Sequence, residues 1–373
     1  MAPNSNIQIR WDQGTAYDFF SSLHVLHFPD EFGLRGAWAA GVRSRLTNEA
    51  REFLESVVNN FNTPLNWVHG LTAPKDGTTA LLALRRIPVG ERLAELKLSP
   101  VDSEACHAML EEVMSAKSWD QAKLNQLVRL WRNAGPDQRV VPGPVSEERA
   151  SQVLNLYADP IGFGEKYLNA LGTYYQVFFS EEEKRIAPKL ESAFEIARKT
   201  AAVQGEIEYL QALTEQTKTT LSGQVETVVL APSYWCSPVY QQNVDQKQVV
   251  ILFGARPKEE SLVPGEIVPE ELLLRLKAMT DPTRMRILRY LLQEQLTPAE
   301  LARRLRLRAP TVTHHLHTLK SSGMVQFVKK GKNEHLYYAK MDSIKETYVL
   351  LKDFLEQDVS VVEGFDFSDS EFI

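Results

Sequence analysis

Apolar residues recur at helical spacing through most of the chain, and at strand spacing only in short, late runs. Over 123–133, Leu124, Leu127, Val128 and Trp131 fall on one face, and Thr47 is placed to cap a helix that turns Phe53, Leu54, Val57 and Phe61 inward. Ser180-Glu181-Glu182-Glu183 reads as a capping box opening a long helix that continues past a kink at Pro188 toward Gln216. The β-rich runs 226–231 and 248–253 flank PSYWCSPVY and predict a small sheet. The expected fold class is mainly α with small β elements: an α-rich domain with a small sheet over 1–262, a proline-containing linker at 263–269, a second domain at 270–356 and an acidic tail at 357–373.

The second domain has the sharper punctuation. Leu272, Leu273, Leu276 and Met279 form one amphipathic stripe, and Asp281-Pro282-Thr283-Arg284 caps and starts a helix carrying Met285, Leu288 and Leu292. Thr297, Pro298 and Glu300 give the cap, the first helical position and the capping-box carboxylate of the next helix, whose apolar stripe is Leu301, Ala302 and Leu305. Residues 306–309 make a turn, and Pro310 pre-sets the backbone for a helix starting at Thr311. Two β-forming runs, 325–328 and 335–338, then surround the loop KKGKN as a hairpin. Helix, short turn, polar-faced helix and basic hairpin is the layout of a winged helix-turn-helix, which points to duplex DNA.

On the second helix of that pair, Val312, Leu316 and Leu319 define the buried face. His314 and His317 point most directly away from it, with Thr311, Thr313 and Thr318 flanking them, Lys320 at the far end and Arg308 in the preceding turn. These are the candidate base-edge and phosphate contacts, while His315 lies nearer the core side. Lys329, Lys330 and Lys332 on the hairpin would meet sugar-phosphate. A solvated helix face and a hairpin with protective edge lysines are the plainer alternatives.

The strings LKAMTDPTRMRILRYLL, ELARRL, APTVTHHLHTLKSSGMV and KKGKNEHLYY, in that order and spacing, resemble the ArsR-type winged-helix transcriptional regulators over residues 268–356. The resemblance implies a homodimer on an imperfect inverted repeat, usually a repressor released by a metal ion, a small ligand or a redox event. It also implies a dimer interface from the first and last helices, here Leu272, Leu276 and Met279 with Ile344, Tyr348, Leu351, Phe354 and Leu355. Packing of these stripes on the chain's own N-terminal domain is the alternative. The family's metal positions look empty: 297–300 holds no cysteine and 342–356 no histidine, so no metal or other cofactor is expected. The segment YDFFSSLHVLHFPDEFGLRGAWAAGVRSRL is similar to an N-terminal domain that accompanies some large ArsR-type regulators and brings no activity with it.

Charge sharpens this division. Residues 281–340 hold 12 Lys and Arg against 4 Asp and Glu, a balance of +8 in a chain of net −6, leaving −14 for the remainder. The chain has 373 residues, 43% of them apolar, enough for two or three domains. Two cysteines, Cys106 and Cys236, give no disulfide framework, and neither a signal pattern nor a spanning run is present, so a cytoplasmic protein without membrane contact is expected. FGLRGAWAAG matches neither a dinucleotide nor a P-loop pattern and reads as a loop entering a helix, and no enzyme motif emerges elsewhere. Two grouped sets remain open. His24, His27, Asp30 and Glu31 read as a helix end or a metal cluster, and Tyr167, Tyr174, Tyr175, Phe178 and Phe179, joined by Tyr234 and Trp235, read as core or as a pocket for an apolar effector. The expected function is a DNA-binding repressor acting as a homodimer; the alternatives are a small-molecule enzyme, or an interaction scaffold that buries His314 and His317 against a partner.

Overall fold

The computed structural model describes residues 7–356 apart from 33, 102, 135–143, 218–224, 237–241, 246, 258–259, 264–267 and 331–333. It divides into two compact units, Met1–Pro29 with Arg35–Arg256, and Asp30–Leu34 with Pro257–Ile373. The acidic tail expected at 357–373 lies outside the described residues.

The first unit runs β1 (Gln8–Trp11), α1 (Ala16–His27), α2 (Gly36–Arg43), α3 (Asn48–Asn60), α4 (Leu65–His69), α5 (Gly77–Arg86), α6 (Arg92–Glu95), α7 (Glu104–Ala116), α8 (Gln121–Asn133), α9 (Glu147–Ala158), α10 (Pro160–Tyr174), α11 (Ser180–Gln204), α12 (Glu206–Thr217), β2 (Thr227–Ser233), β3 (Gln242–Asp245) and β4 (Gln248–Gly254). Its sheet has the order β1-β2-β4-β3, with β1, β2 and β4 parallel and β3 antiparallel to β4. Gln8 aligns with Thr227 and Trp11 with Leu230, so the whole helical block is inserted between two neighbouring strands. Val228 to Ala231 and Val249 to Leu252 are fully buried, the continuous apolar pattern of parallel strands covered on both faces. The β-rich runs read from the sequence are β2 and β4, while β1 and β3 had no such signal.

One helix reading is corrected. Ser180 does not cap a helix. The chain passes from α10 through a π-helical turn, Tyr175–Phe179, straight into α11, so its amides are satisfied within the helix and no side-chain cap forms. Pro188 is accommodated inside α11, which ends before Gly205 at φ +102°, short of Gln216.

The carboxylates of that segment hold the unit together instead. Glu183 accepts hydrogen bonds from Thr15 Oγ1 (2.5 Å), Gly77 N (2.8 Å) and Tyr175 OH (2.8 Å), tying α1, α5 and the π-turn. Glu182 pairs with Arg185 and accepts Trp235 Nε1 at 3.0 Å, while Arg185 donates to Tyr234 OH at 2.9 Å. Asp18, fully buried on α1, accepts Ser233 Oγ (2.5 Å), Trp235 N (2.9 Å) and Tyr234 N (3.1 Å), which pins the end of β2. Burial, opposed by those three donors and assisted by the charge on Glu182, pushes the Asp18 carboxyl up to about 6. The aromatic stretch does join Trp235: Phe178 meets it edge-on at 5.8 Å, and Phe19, Tyr174 and Phe179 pack alongside. Cys106 and Cys236 are free and buried.

The second unit runs α13 (Glu270–Met279), α14 (Pro282–Leu291), α15 (Pro298–Leu305), α16 (Ala309–Ser321), β5 (Val325–Lys330), β6 (Glu334–Ala339) and α17 (Met341–Glu356). Its core gathers Ala278, Ile287, Leu288, Leu291, Leu296, Leu301, Ala302, Leu305, Val312, Leu316, Leu319, Met324 and Val325. The buried stripe of α14 is therefore Ile287, Leu288 and Leu291, whereas Met285 and Leu292 of the expected stripe are 48% and 40% exposed. The hairpin is antiparallel from Val325↔Ala339 to Lys330↔Glu334, and a bridge from Leu296 to Tyr337 fastens the segment before α15 to it. Arg275, paired with Glu271 within α13 (2.6 Å), links that helix to α17 through Glu346 (3.3 Å) and the Ser343 carbonyl (3.0 Å).

Candidate nucleic-acid interface

The interface is assembled from α15, α16 and the hairpin. Thr297 and Glu300 form a complete capping box, Thr297 Oγ1 accepting Glu300 N at 3.2 Å and Glu300 Oε2 accepting Thr297 N at 2.8 Å. This fixes where α15 begins. Its end is fixed by a Schellman arrangement: Leu307 N donates to Ala302 O at 3.0 Å, Arg306 N reaches Arg303 O at 3.4 Å, and Arg306 takes the left-handed conformation at φ 56°, ψ 43°.

The polar-faced helix α16 starts at Ala309, two residues earlier than the Thr311 start read from the sequence, because Pro310 occupies the second helical position and not the one before the helix. The turn is correspondingly shorter, Arg306 to Arg308. Val312, Leu316 and Leu319 anchor the helix at 0%, 1% and 0% exposure. Thr311, Thr313, His314, His317 and Lys320 are exposed, together with Arg308 before the helix, and Thr318 is half-buried. The predicted reading face is thus a continuous polar surface opposite the anchor.

Details of that surface were not visible in the sequence. Thr313 Oγ1 donates to Ala309 O at 3.0 Å and Thr318 Oγ1 to His314 O at 3.2 Å, so both hydroxyls are engaged by the helix backbone. Lys320 Nζ sits 4.8 Å from the centre of the Phe327 ring, coupling the end of α16 to the hairpin. His315 packs toward α14, with Nδ1 3.9 Å from Asp281 Oδ1. Burial holds its imidazole below the ordinary value, against the opposing pull of Asp281, and Asp281 itself caps α14 by accepting Arg284 N at 2.8 Å. His317 is also held low, by desolvation and then by the positive charge of Lys320 and its neighbour His314.

Lys329 and Lys330 pair with His335 and Glu334 in the hairpin backbone, while Lys332 lies outside the described residues. Arg303 and Arg306 add exposed cations between the two helices that had not been singled out. Arg304 is otherwise occupied, forming a two-pronged pair with Glu294 and lying over the Tyr290 ring.

The expected dimer residues fall into two groups. Leu272 is buried within the chain, and Leu276, Met279, Ile344, Leu351 and Phe354 are half-buried, whereas Tyr348 and Leu355 are 70% and 69% exposed, with Val349 beside them at 51%. Among the described residues, no group of three or more His, Cys, Asp or Glu is placed to hold a metal, and no helix is long and apolar enough to cross a membrane. His24 and His27 sit at the end of α1, where burial pushes His24 down to about 4.

Comparison with known proteins agrees with this geometry. A helix-turn-helix domain family matches residues 279–326, from the end of α13 to the start of the hairpin. The chain is 36% identical over 76 residues to an uncharacterized HTH-type transcriptional regulator of Methanocaldococcus jannaschii, covering 20% of this chain and 84% of that protein. It is 33% identical over 63 residues to the transcriptional repressor SdpR of Bacillus subtilis, covering 17% of this chain and 68% of that one. With a capped α15, an anchored and outwardly polar α16 and an antiparallel hairpin behind them, the chain belongs to the winged helix-turn-helix transcriptional regulators.

Proposed function

We propose that this regulator is a repressor of the ArsR type that binds an inverted-repeat operator as a homodimer in the cytoplasm. The observation that carries the reading is the face of α16: Thr311, Thr313, His314 and His317 are exposed opposite a fully buried anchor, in a module with a strong excess of positive charge. In this reading these side chains enter the major groove, Arg308 and Lys320 flank the helix, and Lys329, Lys330 and Lys332 of the wing contact sugar-phosphate. The exposed Tyr348 and Leu355 of α17 support a partner surface, which would set two recognition helices about 34–36 Å apart. SdpR, similar over the same segment, is named a repressor, which favours that sign of regulation. The first unit then senses a signal, such as a small molecule, or extends the dimer.

Footprinting of the purified chain on DNA upstream of its own gene, with a reporter from the same promoter, tests this. Two related half-sites one turn apart, with reporter output rising when the gene is deleted, are expected. A single unpaired footprint, or output that falls on deletion, contradicts the dimeric repressor.

A further inference from the structure

The same C-terminal device closes both helices of the DNA-binding pair. After α16, Gly323 takes φ +77°, Gly323 N donates to Lys320 O at 2.9 Å and Met324 N to Leu319 O at 3.0 Å. After α15 the pattern repeats, Leu307 N to Ala302 O and Arg306 N to Arg303 O, but the left-handed position is filled by Arg306. Glycine accepts that conformation freely, whereas a residue with a Cβ is strained in it. The left-handed backbone there gives no preference for arginine over glycine.

The surroundings of this arginine bear on what its side chain does. Arg306 is exposed, and among the described residues no hydrogen bond or ion pair engages its guanidinium, unlike Arg304, which is held by Glu294, and Arg284, which caps α13 through the Ala278 and Lys277 carbonyls. It stands three residues before Ala309, the first residue of α16, with Arg308 between. In helix-turn-helix docking the first helix crosses the DNA backbone and the second enters the groove with its N-terminal end, so the joining turn lies at the lip of the groove beside phosphate.

We propose that Arg306 is a phosphate-contacting residue, held in a strained backbone conformation at the helix-turn-helix junction so that its guanidinium meets the DNA backbone next to the recognition helix. This rests on the DNA-binding reading of α16. The contact adds affinity and orientation with no base preference, and a planar fork of donors suits a phosphate. Lys97 and Lys117 take the same left-handed conformation in the first unit, so a cation at a helix end occurs in that backbone outside the helix-turn-helix as well, and they serve as the comparison.

The test uses the full chain and a labelled duplex carrying its footprinted site, beside a random duplex, over a salt series. Arg306→Gly is expected to raise the calorimetric melting temperature of the winged-helix unit while weakening binding to both duplexes alike and lowering the slope of log K against log salt by about 0.9 per bound module. Arg306→Lys should keep most of that slope, and Lys117→Gly should leave it unchanged. Wild-type binding that Arg306→Gly matches in affinity and slope overturns the proposal, as does a loss confined to the specific duplex. Wild-type protein with no DNA affinity overturns the recognition-helix reading itself, a failure distinct from the first because it appears before any variant is compared.

Discussion

Removing the charge at Asp18 should change how the stability of the first unit depends on pH. The carboxyl is fully buried and rises from 3.8 to about 6, principally through burial, with Glu182 adding to the rise and the Ser233, Trp235 and Tyr234 donors opposing it. A raised folded value means that the fold holds the proton more tightly than the unfolded chain. The stabilisation is therefore fully present below 3.8 and is lost as pH rises through about 6. At 1.36 kcal/mol per pH unit, that gap corresponds to about 3 kcal/mol, as an order of magnitude. Other groups act in the opposite direction: His24, lowered from 6.5 to about 4, contributes stability above 6.5 that is lost as pH falls toward 4. A raw pH profile mixes the two, so the quantity to read is the difference between wild type and Asp18→Asn. All six tryptophans lie between Trp11 and Trp235, in the first unit, so tryptophan fluorescence during urea unfolding reports that unit alone. The wild-type advantage over Asp18→Asn should shrink by about 2–2.5 kcal/mol between pH 4 and pH 7 on top of a constant offset, since part of the gap is already lost at pH 4. A difference that stays level, or that grows with pH, refutes the assignment of a buried, proton-retaining carboxyl.

Three further outcomes follow from the second unit. Leu316→Ala removes a fully buried anchor of α16 and should cost about 2–5 kcal/mol of winged-helix stability in a calorimetric scan, with DNA binding lost near the wild-type melting temperature. His317 is held below its ordinary value by desolvation, so DNA binding measured by anisotropy should tighten as the pH falls and the imidazole takes up a proton, and His317→Asn should lose part of that gain. Tyr348→Glu with Leu355→Glu places charge on the exposed face of α17 and should shift a dimer toward monomer in sedimentation velocity while leaving the helix content unchanged.

The readable parts of the chain were those whose signals are local. Thr297, Pro298 and Glu300 fix the start of α15 through contacts within one turn, and Asp281 does the same for α14, so their positions could be read from adjacent residues. The wing was legible because β5 and β6 are neighbours in sequence. β1 was not: QIRW is four residues long, and its partner is β2, beyond the whole helical block. Ser180 and the glutamates after it carry a helix-start signal that the continuous α10 to α11 helix overrides, with Glu182 and Glu183 taken up by tertiary partners. The polar face of α16 was legible from its 3.6-residue period, and the buried anchor residues agree with it. The left-handed backbone at Arg306 was invisible, because neither glycine nor asparagine marks the position.

The central claim is that α16 reads DNA through its exposed face. The direct measurement is binding of the full chain to its own upstream DNA and to random duplex across a salt series, with His314→Ala/His317→Ala compared at each point. Tight, salt-steep binding to the specific site that the double variant loses, with nonspecific binding largely retained, is the result expected of side chains that contact base edges. Equal binding of both duplexes by wild type, or a variant that discriminates as well as wild type, would contradict it.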